Sequence, residues 1–418
     1  MRKCLLIAVL LVTALICGGC LGGKETDEVT YVICIGIDAT DGKEIEVTYQ
    51  IAIPRALGGE GGKGGGDQQP MELVTVRAVN LAEARSLLNS VVSRSINLSH
   101  VKAFVFGEAF ARKGVGDVMS VAMRFREFRG TMYIGVVQNA TAKEFLEKNS
   151  PHQEPLSSKY LENMFSTTDT SGYFTKSQIH DFYRRLKSNE GSPYAVLMGI
   201  NPQQGGKMDQ QPASGDKLGG YTAGNLPRDD KANPVEMLGT AVFSRDKMVG
   251  TLNSQETRMI LMLQGKFGRG YLVVEDPLEP EKNLNLYLRL GRQPKINCWI
   301  EQGQWKISAD VLLEAEISSL PSGINYEASR YSQMLEQQVD QVVEREMSRA
   351  LRKTQAMGTD IVGFGAHAAR HFTTYGEYAE FDFEKMYPQA EITLTVKTTI
   401  RRTGLMWQTS PIAGKKQQ

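Results

Sequence analysis

Cys20 is the residue of this 418-residue chain whose chemistry is easiest to read from its neighbours. A basic start, Arg2 and Lys3, precedes the apolar run Cys4 to Cys17, and the small pair Gly18-Gly19 stands directly before the thiol. About fourteen apolar residues are too few to span a hydrocarbon core, which needs on the order of 20 helical residues, so the segment has the length of a signal peptide h-region. Small residues ahead of the cysteine admit a signal peptidase to the backbone, and the thiol is a nucleophile for lipid transfer. The expected product is a diacylglyceryl thioether on Cys20, as in a bacterial lipoprotein. Cys17, at a position where leucine is usual, is the imperfect element. Two other readings stay open here: a secretory leader cut nearby with Cys20 a bystander, and a site at Ala14-Leu15-Ile16-Cys17, against which the bulk of Ile16 argues.

No other constellation rises to a reaction centre. His367 and His371 are four apart and can share a helix face, but Ala368-Ala369-Arg370 between them lacks the glutamate a zinc-hydrolase helix uses as general base. His100, His152 and His180 stand alone. No serine sits in a Gly-x-Ser-x-Gly elbow, so acyl transfer has no support. The glycine-rich stretch Leu57 to Pro70 superficially resembles a phosphate-cradling loop. Yet Gly64 follows Gly62-Lys63 where serine or threonine is needed, Leu57 stands where the first glycine should be, and no helix pattern follows, so it reads as a hairpin tip. The expectation is a protein without catalytic, metal or cofactor residues, not an enzyme.

Two acyl chains on Cys20 would hold the body stably at a bilayer, at about 0.8 kcal/mol per buried methylene, without spanning it. The polar stretch Leu21 to Glu28 reaches at most about 27 Å when extended, so the body works close to the lipid. Loss of Arg2 and Lys3 with the leader takes the formal charge from +1 to −1. That balance, without a long basic run, gives no electrostatic case for nucleic acid. With Cys4 and Cys17 in the leader and Cys20 committed to lipid, Cys34 and Cys298 remain, each in an apolar strand-like run that suits a small buried hydrophobe. A disulfide between them stays open, since sequence cannot place their backbones.

The elements that would carry these residues follow from periodicity and caps. Val29 to Pro54 reads as two strands about a turn at Asp38 to Lys43. Met71 to Val79 is strand-like, Asn80 to Glu83 has the form of a capping box, and a helix continues through Val92. A strand over Val101 to Phe106, a helix over Val115 to Phe128 and a strand over Thr131 to Gln138 continue the alternation. Thr141 and Thr175 open further capping boxes, so Thr141 to Lys187 reads as mostly helical. Leu238 to Leu252 is a hairpin turning at Arg245 to Lys247, followed by a short helix capped by Asn253 or Ser254. Strands follow at Tyr271 to Glu275, Leu284 to Arg289, Lys295 to Ile300 and Lys306 to Ile317. A helix over about Glu327 to Gln355 then carries a wide apolar stripe through Leu335, Val339, Val342 and Met347, which should lie inward across a sheet. Asp360 to Phe372 and Glu377 to Met386 read as shorter helices, and Glu391 to Arg402 as a closing strand.

The organisation expected is an α+β, multi-domain mixed α/β body whose antiparallel-rich C-terminal sheet is packed by that long helix. Its parts are a lipoprotein signal peptide at 1–19, a lipid-anchored tether at 20–28 and an N-terminal α/β domain at 29–200. A linker or loop at 201–234, rich in Gly, Gln, Asp and Pro, leads to a C-terminal α+β domain at 235–405, open to division at 235–300 and 301–405, and a tail at 406–418.

Short stretches then carry a resemblance along nearly the whole mature length. They are Gly36-Ile37-Asp38, Ser99 to Glu108, Gly239 to Phe243 with Asp246 to Gly250, Glu256-Thr257-Arg258, Asp360 to Gly365, and Arg401 to Leu405. Their order, with Cys20, resembles the Ger(x)C family, the C-subunit lipoproteins of bacterial spore germinant receptors. The resemblance implies a lipid-anchored subunit on the outer face of the spore inner membrane, beside multi-pass A and B subunits, in an assembly that answers nutrients such as amino acids or sugars. It implies several mixed α/β domains and a role in germination without catalysis; whether this subunit touches nutrient is left open. A solute-binding lipoprotein of a transporter is the second reading, and it would show two similar α/β lobes. An anchored hydrolase is the third.

Overall fold

The computed structural model describes residues 2–3, 28–53, 71–151, 157–202, 220–228, 232–402 and 409. Cys20, His152, the glycine-rich stretch and most of 201–234 lie outside them. Among the described residues the first sheet has nine strands: β1 (Val29–Ala39), β2 (Ile45–Ala52), β3 (Met71–Ala78), β4 (Ser95–Asn97), β5 (Ala103–Gly107), β6 (Tyr133–Val137), β7 (Tyr194–Ile200), β8 (Val235–Ser244) and β9 (Lys247–Leu252). Their order is β3-β2-β1-β5-β6-β7-β8-β9, with β4 also on β1. Strands β4, β5 and β6 run parallel to the strands they join, β7 continues that direction, and β2, β3, β8 and β9 attach antiparallel. Strands from both sides of 201–234 thus share one sheet.

Period-two patterning explains why this sheet is covered on both faces. Phe104 and Phe106 of β5 point to one side, into a core completed by α1 (Leu81–Leu88), α2 (Glu108–Lys113), α3 (Gly116–Ala122) and α7 (Ile179–Lys187). Ala103 and Val105 point to the other, against α4 (Ala142–Lys148) and α5 (Ser157–Ser166); the short α6 (Thr168–Ser171) follows.

The second sheet is one-sided. Its strands are β10 (Arg269–Glu275), β11 (Asn283–Leu290), β12 (Lys295–Glu301), β13 (Gln304–Ser319) and β14 (Glu391–Arg402). β11 and β12 pair successive stretches of β13 antiparallel, and β14 runs parallel to β13 through eleven paired positions. Its inner face packs on α8 (Ser254–Leu263) and on the long α9 (Ser329–Ala356). Leu335, Val339, Val342 and Met347 of α9 are all buried, as the stripe requires. The α+β class is the one read from the sequence.

Several local expectations are corrected. The helix expected over Val115 to Phe128 ends at Ala122, because the Glu127 carboxylate takes the Leu98 N–H (3.0 Å) and the Arg85 guanidinium (2.7 Å) and draws the chain out of helical register. Thr175 caps nothing: its side chain is buried against Thr240, and the helix begins at Ile179 without a side-chain cap. Among the described residues of Thr141 to Lys187 there are four separate helices, and Glu377 to Met386 is split into α11 (Tyr375–Glu380) and α12 (Phe383–Met386), which follow α10 (Phe364–Ala368). Asp38, expected in a turn, is buried within β1.

Candidate functional site

Two of the stretches that carried the resemblance, Asp360 to Gly365 and Glu256 to Arg258, meet at the seam between the two sheets. After α9 the chain turns through Asp360-Ile361-Val362-Gly363-Phe364-Gly365. Asp360 is fully buried, and its carboxylate accepts the N–H groups of Gly363 and Gly365, each at 2.8 Å. Burial pushes its pKa above the ordinary 3.8, against the pull of those donors and of Arg185. Gly363 sits at φ +97°, and a Cβ on Gly365 would stand 2.3 Å from the Asn189 carbonyl, so the loop closes only with glycine there.

From the first sheet the segment leaving α7 meets this loop. The Asp360 carbonyl accepts the Ser192 N–H at 2.7 Å. Arg185, nine-tenths buried and 4.9 Å over the Tyr194 ring, donates through Nη1 to the carbonyls of Ser192 and Ile361, both at 3.2 Å. Asn189 donates to the carbonyls of Tyr378 and Phe381, at 3.1 and 2.7 Å, and Ser192 Oγ bonds Glu384, whose burial raises its carboxyl. Between the halves lies a cleft of about 410 Å³ lined by charged groups of both signs, among them Arg185, Arg245, Asp382 and Glu384.

A second clasp stands at Glu256-Thr257-Arg258 on α8. The Glu256 side chain completes a capping box with Asn253 and holds Lys353 of α9 at 2.7 Å. Thr257 shares a hydroxyl bond with Thr240 of β8 at 2.9 Å. Arg258, 1% exposed, donates to the Ser171 carbonyl (2.8 and 3.2 Å) and the Tyr271 carbonyl (2.8 Å) and lies 4.4 Å over the Tyr173 ring. Three consecutive residues therefore bind four different elements, α9, β8, α6 and β10.

Asp38 performs the matching task inside the first sheet. Its carboxylate accepts the Ala142 and Lys143 N–H groups (2.8 and 3.0 Å) and so caps α4 beside Thr141. A Cβ on Gly107 would stand 2.1 Å from Asp38 Oδ1, which fixes that glycine by space alone. The Asp246 hairpin tip likewise fills the space beside Gly114 and Gly116, its carbonyl accepting the Val115 N–H at 2.9 Å.

Cys34 and Cys298 lie in the core, while the described histidines stand at or near the surface. His371 Nε2 bonds the Cys298 carbonyl and sets its ring edge-on to Trp305 at 5.7 Å, while burial and Arg370 lower the basicity of His367. Among the described residues no three His, Cys, Asp or Glu side chains stand close enough to hold a metal ion. Cys34 and Cys298 are both free and buried, each thiol pushed up to about 12 by burial. The arrangement can clasp two sheets together, and the bonds that do so from Arg185, Asn189 and Glu256 join residues 97 to 192 positions apart, beyond the reach of sequence spacing.

Comparison with known proteins covers nearly the whole chain. Residues 22–200 match the family described as the spore germination protein N-terminal domain, and 238–404 the family described as spore germination B3/GerAC like, C-terminal. Spore germination protein KC of Bacillus subtilis (strain 168) is 24% identical over 97% of this chain and 97% of its own. Spore germination protein B3 of the same organism is 21% identical over 92% and 94%, and spore germination protein GerQC of Bacillus cereus 17% over 93% and 95%. The crystal structure of the GerBC protein superposes with a TM-score of 0.51 at 16% identity, covering 88% of this chain and 96% of that one, which establishes a shared fold.

Proposed function

Because the chain belongs to the Ger(x)C family of spore germination proteins and takes the C-subunit role in a germinant receptor, we propose that it works without catalysis, held by a lipid on Cys20 and docked on the receptor's membrane-embedded A and B subunits. The observation that carries this reading is the family match over 22–200 and 238–404, which begins two residues past a cysteine that follows a leader-like run. No helix among the described residues is long and apolar enough to cross a membrane; two acyl chains on Cys20 would hold the protein at a bilayer on their own. The expected location is the outer face of the spore inner membrane.

Buried clasps at Asp360 and Arg258 suit a scaffold that presents a fixed outer surface to neighbours. A solute-binding lipoprotein would carry two similar lobes, whereas here one sheet is mixed and covered on both faces and the other is covered on one. The test is deletion of the gene with spores scored against a nutrient panel, together with copurification from spore membranes. Loss of response to one nutrient class and recovery of the multi-pass subunits is expected. Unchanged germination and an empty copurification would overturn the proposal.

A further inference from the structure

The parallel strands of the first sheet gather separated arginines at one edge. Because β4 and β5 pair parallel with β1, and β6 with β5, the segments entering all four strands emerge on the same side. The tether enters there: Val29 opens β1 opposite Ser95, whose N–H bonds the Glu28 carbonyl at 3.0 Å. Segment 89–102 brings Arg94 and Lys102, and segment 123–132 brings Arg124, Arg126 and Arg129, against the single acid Glu127.

Glu127 is already held by Arg85, and Lys102 by Glu162. Arg94, Arg124, Arg126 and Arg129 have no ion-pair partner among the described residues, and the last three are exposed. The segments touch: Glu127 bonds the Leu98 N–H, and His100 lies edge-on to Tyr31 at 4.9 Å while sensing the charge of Arg129. Apolar side chains stand out at the ends of the two helices that run toward this edge, Leu87 (39% exposed), Val91 (64%) and Met123 (40%).

We propose that this edge is a membrane-seating surface, on which the four arginines bind the phosphates of anionic phospholipid while Leu87, Val91 and Met123 enter the headgroup layer. Guanidinium suits phosphate by its planar, multiply donating fork. The processed chain has a formal charge of −1, so the four arginines without ion-pair partners are a local feature of this edge. The short stretch from Cys20 to Glu28 would bring this edge toward the lipid first, and to that extent the inference rests on the anchoring proposed above.

The test reconstitutes the processed, acylated protein in vesicles of phosphatidylcholine alone or mixed with phosphatidylglycerol. A fluorophore is placed at Val91→Cys, or as a control at Asp41→Cys in the turn joining β1 to β2 at the opposite end, with nitroxide on the lipid headgroups; Cys34 and Cys298 are buried and stay unlabelled. Quenching at position 91 that strengthens with phosphatidylglycerol and falls about fivefold per arginine when Arg94, Arg124, Arg126 and Arg129 are changed to glutamate is expected. Equal quenching at position 41, or indifference to both phosphatidylglycerol and the arginines, would overturn the proposal. Flotation with phosphatidylcholine alone reports the lipid anchor separately. A protein that fails to float there yet floats with phosphatidylglycerol in an arginine-dependent way would sink the anchor and keep the surface, and one that floats with neither sinks both.

Discussion

The carboxylate of Asp340, midway along α9, accepts the backbone N–H of Thr398 in β14 at 2.7 Å. One turn to either side, Glu344 accepts from Val396 at 2.9 Å and Glu336 from Ile400 at 2.7 Å. Acids four residues apart on a helix thus meet alternate residues of a strand, and they satisfy the N–H groups that β14 turns away from β13. An open strand edge is a template for unwanted pairing, and this ladder closes it. Asp340→Leu, which orphans the Thr398 N–H, should cost about 1–3 kcal/mol in urea unfolding and promote self-association visible in sedimentation.

The same ladder sets a pH dependence. Burial, together with the neighbouring Glu344 and Glu336, raises Asp340 above its ordinary 3.8, despite the Thr398 bond. A folded state that holds the proton more tightly than the unfolded chain is favoured at low pH, so this contribution is fully present below 3.8 and is lost as pH rises through the raised value. Asp340→Asn keeps an acceptor for Thr398 and removes the charge. Stability measured across that window should fall with pH less steeply in the variant than in the parent.

Gly107→Ala should destabilise by about 2 kcal/mol or more, since its Cβ would stand 2.1 Å from Asp38 Oδ1. In an Asp38→Ala background the obstacle is gone, and the same change should cost distinctly less. Additive costs in the double-mutant cycle would refute the account.

Arg258→Leu removes the donors to the Ser171 and Tyr271 carbonyls and breaks the clasp that a buried guanidinium makes from α8. A loss of about 3 kcal/mol is expected, with calorimetry resolving two transitions where the parent shows one.

The thiols give a direct check on burial and anchoring. With Cys34 and Cys298 each pushed up to about 12, maleimide at neutral pH should leave both unmodified until the protein is unfolded, read by intact mass. Cys20→Ala should abolish lipid labelling and release the protein from membranes.

Local rules were legible in the sequence. Asn253 and Thr141 cap their helices as their spacing to Glu256 and Glu144 predicts, and the α9 stripe is buried. Bonds across long separations were not. Asp38 resembles a turn residue because glycine and lysine follow it, yet it caps a helix 104 positions away. Arg185 and Arg258 look like ordinary charges on amphipathic helices, and only the assembled carbonyls around them reveal clasps. The arginine edge was only half legible: Arg124, Arg126 and Arg129 stand in one short run, but parallel pairing is what brings Arg94 and the start of β1 to the same side.

The β7–β8 pairing has a consequence for biogenesis. A polypeptide emerging N-terminus first exposes the flank of β7 until Val235 to Leu252 has followed, so about fifty further residues must appear before the first sheet can close. Until then the nascent half offers an unpaired ribbon to holdases and to other copies of itself, and a fragment cut within 201–234 would keep that vulnerability permanently.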